Sequence, residues 1–167
     1  MDWGRWFRHI TARERALHRA FPVAALDAIE LAIRESERTH RGEIRFAIES
    51  ALEHGRVWRG ITPRERALEV FAALGVWDTD ENNGVLIYVL LTDRDVEIAA
   101  DRGFNATVDT ERWSAICHDM EQHFRAGRFQ EGAVAGVQAV GRLIAAHYPP
   151  SANGRDRNEL PNRPALL

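Results

Sequence analysis

The run GVLIYVLL, residues 84–91, constrains the fold more than any other stretch of this chain. It has the length of one strand and is far shorter than the roughly 18 apolar residues of a transmembrane helix. A strand that faces water on one side alternates polar and apolar side chains, whereas this run is apolar throughout. We therefore predict a central strand of a β-sheet that is covered on both faces.

The neighbouring strands can be placed relative to this one. After the turn TDR, the segment DVEIAA returns as an alternating strand, and so short a connection makes the pair antiparallel. Upstream, EIRFAIESAL alternates Ile44, Phe46 and Ile48 with Arg45 and Glu49, which predicts a strand half open to water. A helix connects it to the central strand, and a right-handed crossover places these two strands parallel. The sequence predicts an α/β fold: a small mixed sheet of two parallel strands plus an antiparallel hairpin strand, with helices on both faces.

Four segments of the predicted domain have helical periodicity. The first is FPVAALDAIELAIRESERTHRG, in which we expect Val23 to begin the buried stripe. The second, TPRERALEVFAAL, has Thr62 as its N-cap and Glu65 three residues later, the pattern of a capping box, and Leu68 on its predicted inner face. The other two are VDTERWSAICHDMEQHFRAGRF and FQEGAVAGVQAVGRLIAAHY.

Length and composition indicate one domain. A chain of 167 residues with a 45% hydrophobic fraction can bury one core but not two ordinary ones. We place an amphipathic segment at residues 1–19, the α/β domain at residues 20–148 and a tail at residues 149–167. The tail, PPSANGRDRNELPNRPALL, lacks periodicity and is rich in Pro, Asn and Arg, so we predict that it is disordered.

Composition and charge exclude several functions. The net charge of −3 gives no reason to expect a nucleic-acid partner. All 22 basic side chains are arginines, so Schiff-base lysines and the lysines of phosphate-binding loops and kinases are absent. The single Cys117 excludes an intramolecular disulfide, and its place on the apolar face of a helix predicts a buried structural thiol. His118 and His123 do not have the spacing of the H-E-x-x-H metalloprotease motif.

The first 20 residues, MDWGRWFRHITARERALHRA, do not form a secretory signal, because they have neither an apolar core nor a cleavage site. We therefore expect a cytoplasmic protein. Four apolar side chains recur at helical spacing in this segment, interspersed with arginines: Trp3, Trp6, Phe7 and Ile10. Three roles stay open for them: covering the domain's own surface, docking on a protein partner, or binding the anionic inner face of a membrane.

Polar side chains gather at one end of the predicted sheet. Residues 78–83, DTDENN, precede the central strand, Glu43 begins its parallel neighbour, and Asp101 follows the hairpin strand. Clustered carboxylate and amide oxygens are typical ligands of Ca²⁺ and Mg²⁺. The EF-hand template fails, because Asn83 replaces its glycine and Val89 replaces its last glutamate. Two interpretations stay open: a looser site for a hard cation, or a polar turn in which the Asn-Gly pair adopts positive φ angles.

Four motifs together resemble the TPM domain family. RGEIRFAIESAL, NNGVLIYVLL, VEIAADRGFNATVD and FRAGRFQEGAVAGVQAV are similar to the family's TGAEI strand, its acidic-Asn-Gly turn before an apolar strand, its GYGLE-like loop and its FRxGxYxxG helix start. The resemblance covers roughly residues 20–147 and is greatest to bacterial, single-domain members. It implies a sheet flanked by helices. It also implies a divalent-cation site in some members, weak acid phosphatase activity in some, and an accessory role in membrane complexes in others.

The resemblance also suggests site residues. Asn82 and Asn105 stand at acidic family positions, and the loss of two negative ligands should weaken a divalent-cation site. Arg102, in the Gly-rich loop, is a candidate anion-binding residue, although pairing with a surface carboxylate is an alternative. The candidate ligands for Ca²⁺ or Mg²⁺ are Glu43, Asp78, Asp80, Glu81, Asn82 and Asp101.

From these residues we expect a TPM-like binding or accessory module that lies beside a membrane and has a weak divalent-cation site. The alternative is a metal-assisted acid phosphatase of low activity. In that case the candidate ligands would position a metal-bound water and Arg102 would hold the phosphoryl group. No residue stands out as a nucleophile or a general base, so the sequence leaves open whether the protein is an enzyme.

Overall fold

The computed structural model describes residues 15–150 and 158–167, so the predicted stripe Trp3, Trp6, Phe7 and Ile10 lies outside the described residues. Residues 15–20 are helical. The elements that follow are α1 (Val23–Glu37), β1 (Glu43–Glu49), α2 (His54–Trp58), α3 (Pro63–Ala73), β2 (Gly84–Leu90), β3 (Asp95–Ala100), a 3₁₀ turn (Arg102–Phe104), α4 (Thr110–Arg125), α5 (Phe129–His147) and β4 (Ala165–Leu166).

The four strands form one sheet in the order β3-β2-β1-β4. β1 runs parallel to β2, with Glu43 opposite Gly84. β3 returns antiparallel to β2, with Ala100 opposite Val85. The predicted α/β fold with two parallel strands and an antiparallel hairpin strand is therefore confirmed, and β4 is an additional strand that the sequence did not predict.

β2 is the buried central strand that its sequence predicts, and all seven of its residues are buried. Val85, Ile87 and Val89 point into the larger core, between the sheet and helices α1, α4 and α5. Leu86 and Tyr88 point to the other face, into a smaller core beneath α3. Because successive side chains of a strand point to opposite faces, a strand that is apolar at nearly every position can serve both cores.

The predicted open face of β1 is wrong, because every residue of this strand is buried. Its charged side chains are satisfied by specific partners instead of water. Arg66 of α3 donates from Nε to Oε2 of Glu49 at 2.8 Å, and the Tyr88 hydroxyl donates to the same oxygen at 2.7 Å. The Arg45 guanidinium donates to two backbone carbonyl oxygens of the C-terminal segment. Buried charges persist where they are paired and hydrogen-bonded in this way.

The disordered tail predicted over residues 149–167 is wrong for residues 158–167. Here β4 pairs in parallel with β1, and Leu160 is buried in the smaller core. The Arg163 side chain forms ion pairs with two carboxylates of α1. Periodicity does not reveal such a segment, because it is held by backbone hydrogen bonds and by single side chains instead of a repeating apolar face.

The start of α3 agrees with its sequence pattern. Thr62 Oγ1 accepts a hydrogen bond from the Glu65 N–H, and the Glu65 side chain accepts one from the Thr62 N–H, which completes the predicted capping box. Two predicted inward positions are wrong, since Val23 is 63% exposed and Leu68 is 48% exposed. Val23 lies in the first turn of α1, beyond the core, and α3 turns Val70 instead of Leu68 into the smaller core.

Two further features of the fold lie outside the sheet. Leu17, in the helical stretch over residues 15–20, is buried in the larger core, so the core includes residues before position 20. The connection between β1 and α3 contains the short helix α2. Within residues 15–150 and 158–167, no helix is both long and apolar enough to cross a bilayer.

Candidate functional site at the amino-terminal end of the sheet

Three distant segments meet where β1 and β2 begin, which we call the amino-terminal end of the sheet. The Glu43 N–H donates to the Asn83 carbonyl oxygen at 3.3 Å. The Asp101 N–H donates to the Gly84 carbonyl oxygen at 2.9 Å, and the Gly103 N–H donates to the Asn82 carbonyl oxygen at 3.0 Å. The predicted convergence of these three segments is therefore confirmed, and backbone hydrogen bonds hold it in place.

The polar loop before β2 owes its shape to Thr79 and two asparagines. Thr79 Oγ1 accepts from the Asn83 N–H at 3.1 Å, and its carbonyl oxygen accepts from the Asn82 N–H at 3.2 Å. Asn82 adopts a φ of 54°, in the left-handed region that asparagine tolerates better than most residues. The Asn-Gly pair was predicted to supply this angle, but the residue before it does so. Gly84 is needed for a different reason, because a Cβ there would lie 2.0 Å from the Val76 carbonyl oxygen.

The candidate cation ligands have different surroundings. Glu43 is buried, and its Oε2 accepts from the Leu160 N–H at 3.1 Å, so this carboxylate faces the C-terminal segment. Asp78 and Asp80 are exposed to solvent. Glu81 is also exposed and forms an ion pair with Arg41. The structure thus brings all six predicted residues to one end of the sheet but points them in several directions.

Asp101 has the most unusual environment in this group. Its Oδ1 accepts from the Arg102 N–H at 2.7 Å and so caps the 3₁₀ turn. Its Oδ2 is buried and has no hydrogen-bond partner among the described residues. The Arg102 side chain turns away from this oxygen, and its Nε donates to Asn82 Oδ1 at 2.8 Å. Arg102, the predicted anion-binding residue, therefore donates to an amide oxygen and not to a carboxylate.

Tyr148 and Arg41 belong to the same site, although their sequence context did not single them out. The Tyr148 hydroxyl packs over Gly103, where a Cβ would lie 2.3 Å from it. Burial, and then the Glu81 and Asp101 carboxylates, raise the pKa of Tyr148, while Arg41 opposes this rise. Helix α5 runs back from the opposite end of the sheet, so the residue after it had to reach this end. The order of elements was the one signal that could have found it.

No three His, Cys, Asp or Glu side chains in the described parts of the chain converge closely enough to hold a metal ion. The Glu81 and Asp101 carboxylates both act on the pKa of Tyr148, and Asn82 Oδ1 accepts from Arg102. Ca²⁺ and Mg²⁺ accept carboxylate, amide and water oxygens together, so a site at these residues would have to be completed by water. Divalent-cation binding stays a prediction.

The other residues weighed for chemistry lie elsewhere. Asn105 is exposed beside a cavity of about 310 Å³ between β3 and α4, away from Asp101 Oδ2. Cys117 lines the same cavity and is partly, not fully, buried. Burial raises the pKa of its thiol to about 12, which agrees with the predicted structural role because only a thiolate is a good nucleophile. His118 is exposed on α4 and His123 is half-buried.

The fold and this site place the chain in a known class. The model of the TPM domain matches residues 19–143, most of the chain, and we conclude that the chain belongs to the TPM domain family. The four motifs that resemble this family lie in β1, in the turn into β2, in β3 with the loop after it, and at the start of α5. A search of curated proteins found no match.

Solved structures support the same assignment. The BA42 protein from the psychrophilic bacterium Bizionia argentinensis is 31% identical and superimposes with a TM-score of 0.76 over 88% of this chain and 95% of that chain. The N-terminal domain of a P. gingivalis protein is 25% identical, with a TM-score of 0.56 over 72% of this chain and 75% of that one. The N-terminal domain of the cg2496 protein from Corynebacterium glutamicum, at 15% identity and a TM-score of 0.54 over 77% and 76% of the two chains, shares the fold.

Proposed function

We propose that this chain is a binding or accessory module that acts at a membrane surface and binds a divalent cation weakly at the amino-terminal end of its sheet. The observation that carries the proposal is the environment of Asp101. Its Oδ2 is buried without a hydrogen-bond partner in the described chain, and the carboxylates of Glu81 and Asp101 both raise the pKa of Tyr148. A buried polar atom that lacks a partner costs roughly 1–3 kcal/mol, and more if charged. A bound cation, or a donor group of a partner, would remove this cost.

The surroundings of Asp101 explain why we expect weak binding. A cation held by Asp101 and Glu81 would have to displace Arg41 from its ion pair with Glu81. Asn82 offers an amide oxygen that already accepts from Arg102, and an amide carries no negative charge. Hard cations are bound mainly by electrostatic attraction, so each of these features lowers the affinity. When bound, the cation would neutralise the two carboxylates and offer its remaining coordination positions to a partner.

The proposal predicts that millimolar Ca²⁺, Mg²⁺ or Mn²⁺ raises the melting temperature relative to EDTA. Binding to the folded state alone stabilises it by about 2.7 kcal/mol at a hundredfold excess over Kd, which is a shift of a few degrees for a domain of this size. Asp101→Asn should abolish the shift. Asp93→Asn is the matched control, because Asp93 is an exposed carboxylate at the opposite end of the sheet. No shift with any of the three ions would refute the cation site.

The membrane part of the proposal rests on residues 1–19, in which Trp3, Trp6, Phe7 and nearby arginines have the composition of an interfacial anchor. A triple alanine variant at Trp3, Trp6 and Phe7 should lose binding to anionic vesicles in a sedimentation assay while keeping its melting temperature. Substitution is preferable to a long truncation, because Leu17 is part of the core and its removal would destabilise the domain.

The phosphatase alternative can be tested on the same preparation. Metal-dependent turnover of a phosphomonoester that is lost in both Asp80→Ala and Asp101→Ala would make the protein an enzyme and would replace the module proposed above. Arg102 would then have to leave Asn82 to hold the phosphoryl group. Arg102→Gln should in that case raise KM for the phosphomonoester more than it lowers kcat.

A further inference from the structure

The opposite end of the sheet, where β1 and β2 finish, has a different character, and we call it the carboxyl-terminal end. The Thr92 N–H donates to the Ser50 carbonyl oxygen at 3.1 Å, so the segments after β2 and β1 lie side by side there. Arg94 donates to the Arg125 carbonyl oxygen at 3.4 Å, which places the turn between α4 and α5 at the same end. Phe21 packs on Phe124 and Phe129, so residues 15–22 also lie there.

Positive charge is concentrated at this end, although the whole chain has a net charge of −3. Exposed carboxylates are fewer there within the described chain: Glu53, Glu65, Asp93 and Glu131. The exposed arginines at this end are Arg15, Arg19, Arg59, Arg94, Arg125 and Arg128. The amino-terminal end differs, since the exposed carboxylates of Asp78, Asp80 and Glu81 lie there together with Arg41 and Arg102. At the carboxyl-terminal end, exposed arginines therefore outnumber exposed carboxylates.

The most exposed large apolar side chain in the described residues lies at the positive end. Trp58, the last residue of α2, is 92% exposed. It borders a groove of about 600 Å³ whose apolar lining includes Leu52, Ile61, Pro63 and Leu90. Tryptophan presents a large apolar ring with one polar N–H, and side chains of this kind are enriched where a membrane meets water.

The residue after Trp58 adds a positive charge beside this exposed aromatic side chain. The Arg59 side chain is exposed and donates to the Gly55 carbonyl oxygen at 3.1 Å, and no ion pair involves Arg59 within the described chain. An unpaired guanidinium beside an exposed indole matches an anionic headgroup beside the interfacial region of a bilayer. Other arginines at this end do pair, such as Arg125 with Glu121, and exposed ion pairs of this kind add little to stability.

We propose that Trp58 and Arg59 form the membrane-contact surface of the folded domain, with an anionic lipid bilayer as the occupant. This inference rests on the proposed membrane function. A bilayer fits better than a small ligand, because residues 1–14, which contain Trp3, Trp6 and Phe7, continue the chain from this same end. Trp58, Arg59 and the point at which the described chain begins, Arg15, thus lie at one end of the domain. The strands would then stand upright on the membrane, and Asp101 and Glu81 would face away from it.

The test is sedimentation of the full chain with vesicles of phosphatidylcholine alone, and of phosphatidylcholine and phosphatidylglycerol in equal amounts. We expect binding to the anionic vesicles only, weakened about tenfold by Trp58→Ala. Arg59→Gln should weaken it about fivefold, and added salt should reduce the effect of this variant. Trp77→Ala is the matched control, because Trp77 is 55% exposed but lies at the amino-terminal end. Melting temperatures of all variants establish that they fold.

The outcomes separate this inference from the proposed function. If Trp58→Ala binds as well as the unaltered chain, whereas the triple variant at Trp3, Trp6 and Phe7 does not, the inference is overturned and the proposed function stands. Equal losses for Trp58→Ala and Trp77→Ala would overturn it too. If the unaltered chain binds polyglutamate but no vesicle, the surface recognises an acidic protein and both membrane statements fail. The melting temperature with and without divalent cations is an independent test of the cation site.

Discussion

At the outer edge of β3, backbone groups bond to side chains of neighbouring helices, whereas at the outer edge of β1 a distant segment of the chain adds another strand. The Val96 N–H donates to Glu121 Oε1 of α4 at 3.4 Å, and Arg64 of α3 donates to the Ile98 carbonyl oxygen at 2.6 Å. At β1, residues 158–167 supply β4 and the acceptors for Arg45.

The edges of β3 and β1 are protected in two different ways, and each way has its own structural requirement. An exposed edge strand invites pairing with other chains, and proteins protect it with charged side chains or cover it with another segment. Side chains are sufficient to protect the edge of β3, because α3 and α4 already pack against this strand. At β1 a segment of the chain covers the edge, and it both buries Arg45 and supplies carbonyl acceptors for its guanidinium. We therefore expect β1 to depend on its cover far more than β3 does.

Deletion of residues 158–167 should have the largest effect. It exposes the β1 edge, removes the buried Leu160 and leaves the Arg45 guanidinium without its carbonyl acceptors. The combined cost is on the order of 5 kcal/mol, similar to the whole stability of a small domain. Urea unfolding followed by circular dichroism should find the deletion variant mostly unfolded or aggregated.

The control for the deletion is Arg163→Ala, which removes only exposed ion pairs with Asp27 and Glu30. It should cost less than about 1 kcal/mol. A deletion variant with the urea midpoint of the full chain would show that β1 does not need its cover.

These two edges also show how far the sequence predicts the fold. Apolar runs and alternation found β2, β3 and the hairpin between them, because their stabilising contacts repeat along the strand. The burial of Arg45 and Glu49 was missed, because their partners lie in α3, in β2 and in the C-terminal segment. A local pattern cannot show that a charged side chain has a distant partner.

The candidate site was predictable to a similar extent. Strand order alone brought Glu43, Asp101 and residues 78–83 to one end of the sheet, and the structure confirms this. The directions of the side chains were not predictable, because Glu43 turns toward Leu160, a residue from the predicted disordered tail. Tyr148 was missed for the same reason, since it reaches the site through packing of α5 and not through spacing.

Asp95→Asn, at the β3 edge, should change the free energy of unfolding by an intermediate amount. Burial, and then Glu97 and Glu121, raise the pKa of Asp95 to about 6. A carboxyl whose pKa is higher in the folded state stabilises most below its unfolded pKa of about 4, and this stability is lost as the pH rises through 6. The variant should therefore be more stable at pH 7 by about 1 kcal/mol, a value reduced to allow for partial exposure of Asp95.

The measurement for Asp95→Asn is the free energy of unfolding of both proteins between pH 4 and pH 7. The difference between them should grow from about pH 4 to about pH 6 and then level off. A difference that does not change with pH would mean that burial and the surrounding carboxylates do not raise the pKa of Asp95.

Arg64→Ala should have the smallest effect, although it removes a protecting side chain from the β3 edge. Arg64 is 50% exposed, so water can replace it as a donor to the Ile98 carbonyl oxygen. The expected cost is below about 1 kcal/mol. Urea unfolding measures it, and Arg64→Lys, which keeps the charge and a donor, is the control. A loss as large as that of the deletion would remove the distinction between the edges.

The pairing of β4 with β1 has a consequence for the order of folding. β2 and β3 are joined by a tight turn, and Glu43 pairs with Gly84 across one helical crossover, whereas Ala47 pairs with Ala165 at the far end of the chain. Closing a longer loop costs more conformational entropy, and contacts distant in sequence form more slowly. We therefore expect β4 to dock last and to detach first, with its amides exchanging hydrogen before those of β2. The segment that protects β1 is then also the place where unfolding begins.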